Sequence, residues 1–95
     1  MRQELEKAIG GQLRLLAIRT RNTLKITQKD MSEKLCVSES SYSDIETGKF
    51  HCGMLTCILL LCMQSDTDEF FDTVRKICEE RQKYLLFDEK EVQPL

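Results

Sequence analysis

The sequence has no tryptophan, one proline (Pro94), one histidine (His51) and four glycines among 95 residues. So few turn-forming residues, and no apolar runs of period two, exclude a sheet protein. We find one histidine, no recognisable Ser-His-Asp set and no glycine-rich loop to cradle a phosphate, so we expect no enzyme. These absences favour an all-α protein, and the length suits a single small domain with a modest core.

The cysteines match neither a disulfide framework nor a metal site. There are five, an odd number, and no two stand as C-x-x-C; they are Cys36, Cys52, Cys57, Cys62 and Cys78. This pattern, with no signal-peptide pattern at residues 1–10, predicts free thiols in a reducing cytoplasm. His51 beside Cys52 lacks the spacing of zinc ligands, so we expect no metal and no cofactor. The cysteines are interpreted as small buried hydrophobic residues.

The longest apolar run is MLTCILLLCM at residues 54–63. A membrane-spanning helix needs about 20 such residues, so we expect no contact with a membrane. The run instead predicts a core helix. Because nearly every position is apolar, this helix should be buried on more than one side.

Apolar residues at helical spacing predict a compact bundle of about five helices. The first helix should cover about residues 4–23, although Gly10-Gly11 weakens its middle. Residues 1–12 are therefore either an N-terminal arm or an extension of that helix. Residues 65–87 should form a C-terminal helix, which either closes the core or pairs with a second copy, and residues 88–95 a flexible tail.

Local capping signals mark two short helices in the middle of the chain. Thr27-Gln28-Lys29-Asp30 has the form of a capping box and starts the second helix, which should end near Leu35. Ser38 is a second N-cap, and the third helix should run over about residues 38–47. Gly48 suits the position just after its end.

Two short helices joined by a tight turn, after a longer basic helix, indicate a helix-turn-helix. The run RNTLKITQKDMSEKLCVSESSYSDIETGK, residues 21–49, resembles the phage-repressor-like (Xre/Cro) helix-turn-helix family. The T-Q, V-S and I-E-x-G elements carry this resemblance, and their spacing agrees without a gap. It extends to about residue 64 and implies a lambda-repressor-like DNA-binding domain over residues 13–64.

The resemblance also implies roles for individual residues. Arg21 and Glu46 would form a structural ion pair that ties the first helix to the end of the third. The third helix would read the major groove, and Tyr42 is interpreted as a core aromatic residue. The implied DNA-contacting set is Gln28, Lys29, Ser38, Glu39, Ser40, Ser41, Ser43, Asp44, Lys49 and Arg19.

Two positions depart from the family pattern in a way that concerns the backbone. Cys36 occupies the inter-helix turn where the family usually has glycine, and Lys25 replaces the glycine that usually precedes the second helix. The turn position often needs a positive φ, which is costly for a residue with a Cβ atom. We therefore expect an adjusted turn.

The predicted reading helix, SESSYSDIET, contains no Arg, Lys, Asn or Gln. The net charge is −2, and residues 1–25 hold six of the 14 Lys and Arg residues against two of the 16 acids. Serine hydroxyls and a Glu carboxylate can read base edges, but more weakly than arginine. Positive charge must come from flanking segments, so useful affinity for double-stranded DNA would need a dimer.

Two functions therefore remain open. The first is a sequence-specific DNA-binding transcriptional regulator, a repressor, that forms a homodimer through the fourth and fifth helices. The second is a helix-turn-helix-fold module that binds a protein and does not bind DNA directly.

Overall fold

The computed structural model describes residues 2–49 and 52–82, and within those ranges it contains five helices and no strand. The helices are α1 (Arg2–Leu24), α2 (Gln28–Lys34), α3 (Glu39–Thr47), α4 (Met54–Cys62) and α5 (Asp68–Gln82). The predicted all-α class is confirmed. No helix in this part of the chain has the length and apolar character needed to cross a membrane. The predicted tail lies outside the described residues.

The first helix is longer than its glycine pair suggests. α1 runs without a break from Arg2 to Leu24, and Gly10 and Gly11 are both helical. Residues 2–12 therefore extend α1 and do not form a separate arm. The cost of two glycines, about 1 kcal/mol each, is small against the packing of one long helix on its neighbours.

The predicted caps of α2 and α3 are confirmed. Thr27 Oγ1 accepts from the Asp30 amide at 3.1 Å, and Asp30 Oδ2 accepts from the Thr27 amide at 3.5 Å. Ser38 Oγ accepts from the Ser41 amide at 3.1 Å. Gly48 ends α3 in the left-handed region, with φ of 82°. Each cap satisfies backbone groups that the helix itself leaves unpaired.

The prediction of an adjusted turn between α2 and α3 is wrong. Cys36 has φ of 58° and Lys25 has φ of 56°, so both non-glycine residues keep the left-handed conformation. The Val37 amide donates to the Ser32 carbonyl at 3.0 Å, and Leu35 is buried beside the turn. The burial of Leu35 and this backbone bond hold the turn, so Cys36 adopts the strained conformation at a cost of about 1–2 kcal/mol.

Replacing Cys36 with glycine should therefore stabilise the protein. Glycine relieves the backbone strain, but it also makes the unfolded chain more flexible, which offsets part of the gain in stability. The net increase in the free energy of unfolding should be about 0.5–1 kcal/mol. Chemical unfolding of both proteins measures this difference. Cys36→Ala is the matched control, since it removes the thiol and keeps the Cβ atom; equal stabilisation by both substitutions would contradict the backbone explanation.

The core lies where α1, α2, α3 and α4 meet. Its buried members are Leu16, Ala17, Met31, Leu35, Tyr42 and Leu60. Tyr42 is fully buried, with its hydroxyl 3.5 Å from the Ala17 carbonyl, as the interpretation of this residue as a core aromatic predicts. α5 packs against α1, and its Phe70 lies against the edge of this core. The C-terminal helix therefore contributes to closing the monomer.

Two expectations about burial are wrong. Only Thr56 and Leu60 of α4 are buried, whereas Met54, Leu55 and Ile58 are 81%, 60% and 51% exposed. The cysteines are not a buried set either, because Cys36 and Cys62 are exposed and the other three are half-buried. An apolar sequence gives α4 no polar face to turn outwards, so composition could not show which side is covered.

Candidate nucleic-acid interface

An ion pair fixes the end of α3 to α1. Arg21 Nε donates to Glu46 Oε2 at 2.6 Å, and Arg21 Nη2 donates to Glu46 Oε1 at 3.1 Å. The Glu46 side chain is 9% exposed and that of Arg21 is 22% exposed. Arg21 Nη1 also donates to the Ile26 carbonyl at 3.2 Å, which ties the segment before α2 to the same guanidinium. A bidentate contact of this kind fixes the orientation of α3 as well as its distance from α1.

Gln28 joins this ion pair from the first turn of α2. Its Nε2 donates to Glu46 Oε1 at 3.1 Å. This bond uses one of the two amide N–H groups, and the side chain is only half-buried. The side-chain oxygen and the second N–H have no partner among the described residues. Gln28 is thus held in place by the fold and keeps hydrogen-bonding capacity for a ligand.

The protonation states follow from these contacts. Burial opposes ionisation of Glu46, but hydrogen bonds from Arg21, Tyr42 and Gln28 outweigh it and hold the pKa of Glu46 below its ordinary value. The Glu46 carboxylate in turn raises the pKa of Arg21. Burial, aided by Glu46, raises the pKa of Tyr42. At neutral pH the ion pair is charged and Tyr42 is a neutral donor.

Arg14 makes a second contact to α3 that the sequence reasoning missed. Its Nε donates to the Glu46 backbone carbonyl at 2.7 Å, at the end of α3 where carbonyls lack helical partners. Arg14 also lies against Gly48, where an added Cβ atom would be 3.7 Å from Nε. The spacing in the sequence could have predicted this contact. Arg14 precedes Arg21 by two helical turns and therefore lies on the same face of α1.

The N-terminal half of α3 presents a row of exposed hydroxyl groups. Ser38 Oγ lies 2.8 Å from Ser41 Oγ, to which it donates, and 3.4 Å from Ser40 Oγ. These three residues and Glu39 are exposed. We call this surface the serine face. The core face of α3 carries Tyr42, Ile45 and Glu46 instead, so the serine face is the side of α3 that is free to meet a partner.

The other predicted contact residues of α3 lie nearer its end. Ser43 and Asp44 are half-buried, and Lys49 is exposed. Lys49 Nζ is 4.0 Å from Asp44 Oδ1, which partly neutralises the acid on this surface. Lys29 is exposed on the first turn of α2, next to Gln28.

Arg19 is not brought to the serine face. It lines a groove on α1 with Gln12 and Leu16, opposite Glu69, Phe70 and Thr73 of α5. Arg21, two residues later, points to α3 instead, because two residues of a helix are separated by about 200° around its axis. The basic residues of α1 are therefore divided between faces. Arg14 and Arg21 hold α3, and Arg19 faces α5.

Among residues 2–49 and 52–82, no group of three or more His, Cys, Asp or Glu side chains is arranged to hold a metal ion.

The comparison with known families agrees with this geometry. A family model described as Helix-turn-helix matches residues 18–61, which run from the second half of α1 almost to the end of α4. No curated protein and no solved structure matches the chain. The matched segment contains the ion pair, the turn and the serine face.

Proposed function

Because residues 18–61 belong to the Xre and lambda-repressor-like helix-turn-helix family, a family of DNA-binding transcription regulators, we propose that this protein is a dimeric repressor. Its α3 enters the major groove of its operator with the serine face against the bases. The proposal rests on the hydrogen bonds that Arg14, Arg21 and Gln28 donate to Glu46. These bonds fix α3 and leave its serine face exposed.

The chemistry of the serine face determines how bases are read. Ser40 and Ser41 hydroxyls can donate or accept, and the Glu39 carboxylate can accept from the amino group of cytosine. Ser38 is already used as a cap, so it positions the other side chains. These side chains are short, and none of them can make a bidentate contact like that of arginine with guanine. Specificity should therefore be spread over several weak contacts.

Contacts with the phosphates come from residues that flank the serine face. Lys25 and Lys29 are exposed before and at the start of α2, Lys49 is exposed after the end of α3, and Gln28 keeps a second N–H that does not bond Glu46. Phosphate contacts of this kind fix register on the duplex without reading sequence. We leave Arg19 out of this set because it faces α5. With three lysines for each subunit, a monomer should bind only modestly.

We propose that the exposed apolar side chains of α4 and α5 form the dimer interface. Met54, Leu55 and Ile58 of α4 are mostly exposed, and Phe71 of α5 is 38% exposed. In a dimer, the two copies of α3 would enter successive major grooves, about 34 Å apart. Analytical ultracentrifugation should show a dimer that Leu55→Asp converts to monomer. An unaltered dimer would place the interface elsewhere.

The decisive experiment is a titration of the protein with DNA at two salt concentrations. Fluorescence polarisation with genomic and random duplexes should show binding that weakens about a thousandfold between about 50 mM and about 200 mM salt, as six phosphate contacts predict. No binding at the lower salt by a folded dimer would reject the regulator.

The acidic residues Glu39 and Asp44 on the outer side of α3 favour a second candidate function. In this alternative, α3 docks on a basic protein surface and the chain does not bind DNA directly. The same titration separates the two candidates, because the alternative predicts no direct binding of DNA even at the lower salt concentration. The five free thiols support a cytoplasmic location for either function.

A further inference from the structure

Cys52 and Cys57 lie on either side of the first turn of α4. Cys57 Sγ donates to the Cys52 carbonyl at 3.5 Å, so the Cys57 thiol lies against the Cys52 backbone. Cys52 directly precedes the N-cap Gly53, and Cys57 is the fourth residue of the helix. Side chains at these two positions pack together at the start of many helices. The local geometry of α4 thus brings two thiols together.

The Cys52 thiol can be reached from solvent. It lines an open groove of about 290 Å³ between α1 and the end of α3. Lys7 and Arg14 give the groove positive charge, and Gly10 and Gly11 contribute no side chains to its wall. An anionic reagent is therefore attracted to the groove.

The other described cysteines are placed differently. Cys36 and Cys62 are exposed, and Cys78 is half-buried on α5. In residues 2–49 and 52–82, none of these three has a thiol neighbour in hydrogen-bonding contact. A reagent that adds to one of them leaves an adduct that no neighbouring thiol can displace.

We propose that Cys52 and Cys57 form an oxidation site that closes to an intramolecular disulfide in reaction with an anionic low-molecular-weight disulfide. One protein thiolate attacks the reagent, whose S–S bond breaks and releases one reduced thiol. The second protein thiolate then attacks the mixed disulfide at the protein sulfur and releases the second. Two protein thiols lose two protons and two electrons, and the reagent becomes two thiols.

The two steps have different rates. Burial raises the pKa of Cys52 to about 11, with a further contribution from Cys57, and burial also raises the pKa of Cys57. Little thiolate is present at neutral pH, so the first step is slow and accelerates as pH rises. The second step is intramolecular, between residues that are already in contact at the start of α4, which makes it fast. The site should therefore accumulate the disulfide and not the mixed intermediate.

The experiment uses the full chain with Cys36, Cys62 and Cys78 replaced by serine, treated with oxidised glutathione. Mass spectrometry should show a loss of about 2 Da, for two hydrogen atoms, with no retained glutathione. Met54 lies between the two cysteines. Cleavage after methionine should therefore leave two fragments that separate only after reduction.

The chain offers a matched control. Cys57 and Cys62 are also five residues apart, but helix geometry points them to different faces. A variant that keeps only this pair should retain glutathione and form the internal disulfide at least about tenfold more slowly. Equal rates in the two variants, or persistent glutathione on Cys52 or Cys57, would overturn the proposal. Should the triple substitution unfold the protein, replacing Cys36 and Cys62 alone supports the same fragment assay, because residues 55–63 then hold Cys57 as their one cysteine.

Discussion

Replacing Glu46 with alanine should lower the free energy of unfolding by about 3 kcal/mol. The substitution removes the acceptor of Arg21 and Gln28 at once and leaves a half-buried guanidinium without its carboxylate. Thermal and denaturant unfolding measure the loss. Glu39→Ala is the matched control, because Glu39 is an exposed acid on the same helix, and it should change stability by less than about 0.5 kcal/mol. Equal effects of the two substitutions would contradict the structural role of Glu46.

The same ion pair predicts how stability depends on pH. The pKa of Glu46 is held below its ordinary value of 4.5. A carboxyl group whose pKa is lower in the folded protein contributes stability that is fully present above the unfolded pKa and is lost as pH falls through the folded one. The difference in stability between wild type and Glu46→Gln should therefore be constant near neutral pH and shrink below about pH 4.5. A difference that persists at lower pH would show that the charge of Glu46 is not what stabilises the fold.

Replacing Gln28 with alanine should weaken DNA binding about a hundredfold, through the loss of one proposed charge-assisted hydrogen bond to phosphate, about 1.5 kcal/mol, for each of two subunits. The structure adds a second effect, because Gln28 also donates to Glu46. Losing that bond should cost about 1 kcal/mol of stability. DNA titrations must therefore be made at a temperature at which the variant is fully folded.

Lys29→Ala is the control for Gln28→Ala. Lys29 is exposed, next to Gln28 on the first turn of α2, and makes no ion pair among the described residues. Its loss should reduce the slope of log affinity against log salt by about one per subunit and leave the melting temperature unchanged. If Gln28→Ala lowers the melting temperature but leaves affinity intact, Gln28 serves the fold alone.

The caps show how much the sequence could specify by itself. Thr27, Asp30, Ser38 and Gly48 act within one helical turn of their own positions, so the residue types and their spacing determined where α2 and α3 begin and end. The pairing of Arg21 with Glu46 came from the family resemblance, because 25 residues separate them and no local rule joins them. The helix-turn-helix could thus be predicted from the sequence, and a Helix-turn-helix family model matches residues 18–61.

Tertiary packing decided which side chains contact which helix, because the sequence pattern does not specify this. The sequence did not show where the side chains of Arg14 and Arg19 lie. The packing of α1 against α3 and α5 places Arg14 at the Glu46 carbonyl and Arg19 in the groove beside α5. α4 is apolar on every side, so its sequence contains no information about which side the core covers. The packing of α1–α3 also kept Cys36 at positive φ, since the burial of Leu35 outweighs the strain of one residue.

The segment SESSYSDIET contains both kinds of information. Its own residues determined a helix that starts at Ser38 and ends before Gly48, because capping depends on neighbours within a few residues. Which of its side chains are free was decided by the tertiary structure, because α1 occupies one face through Tyr42 and Glu46 and leaves Glu39, Ser40 and Ser41 outside. Local hydrogen bonds follow from sequence spacing, whereas an exposed surface exists only after the helices have packed.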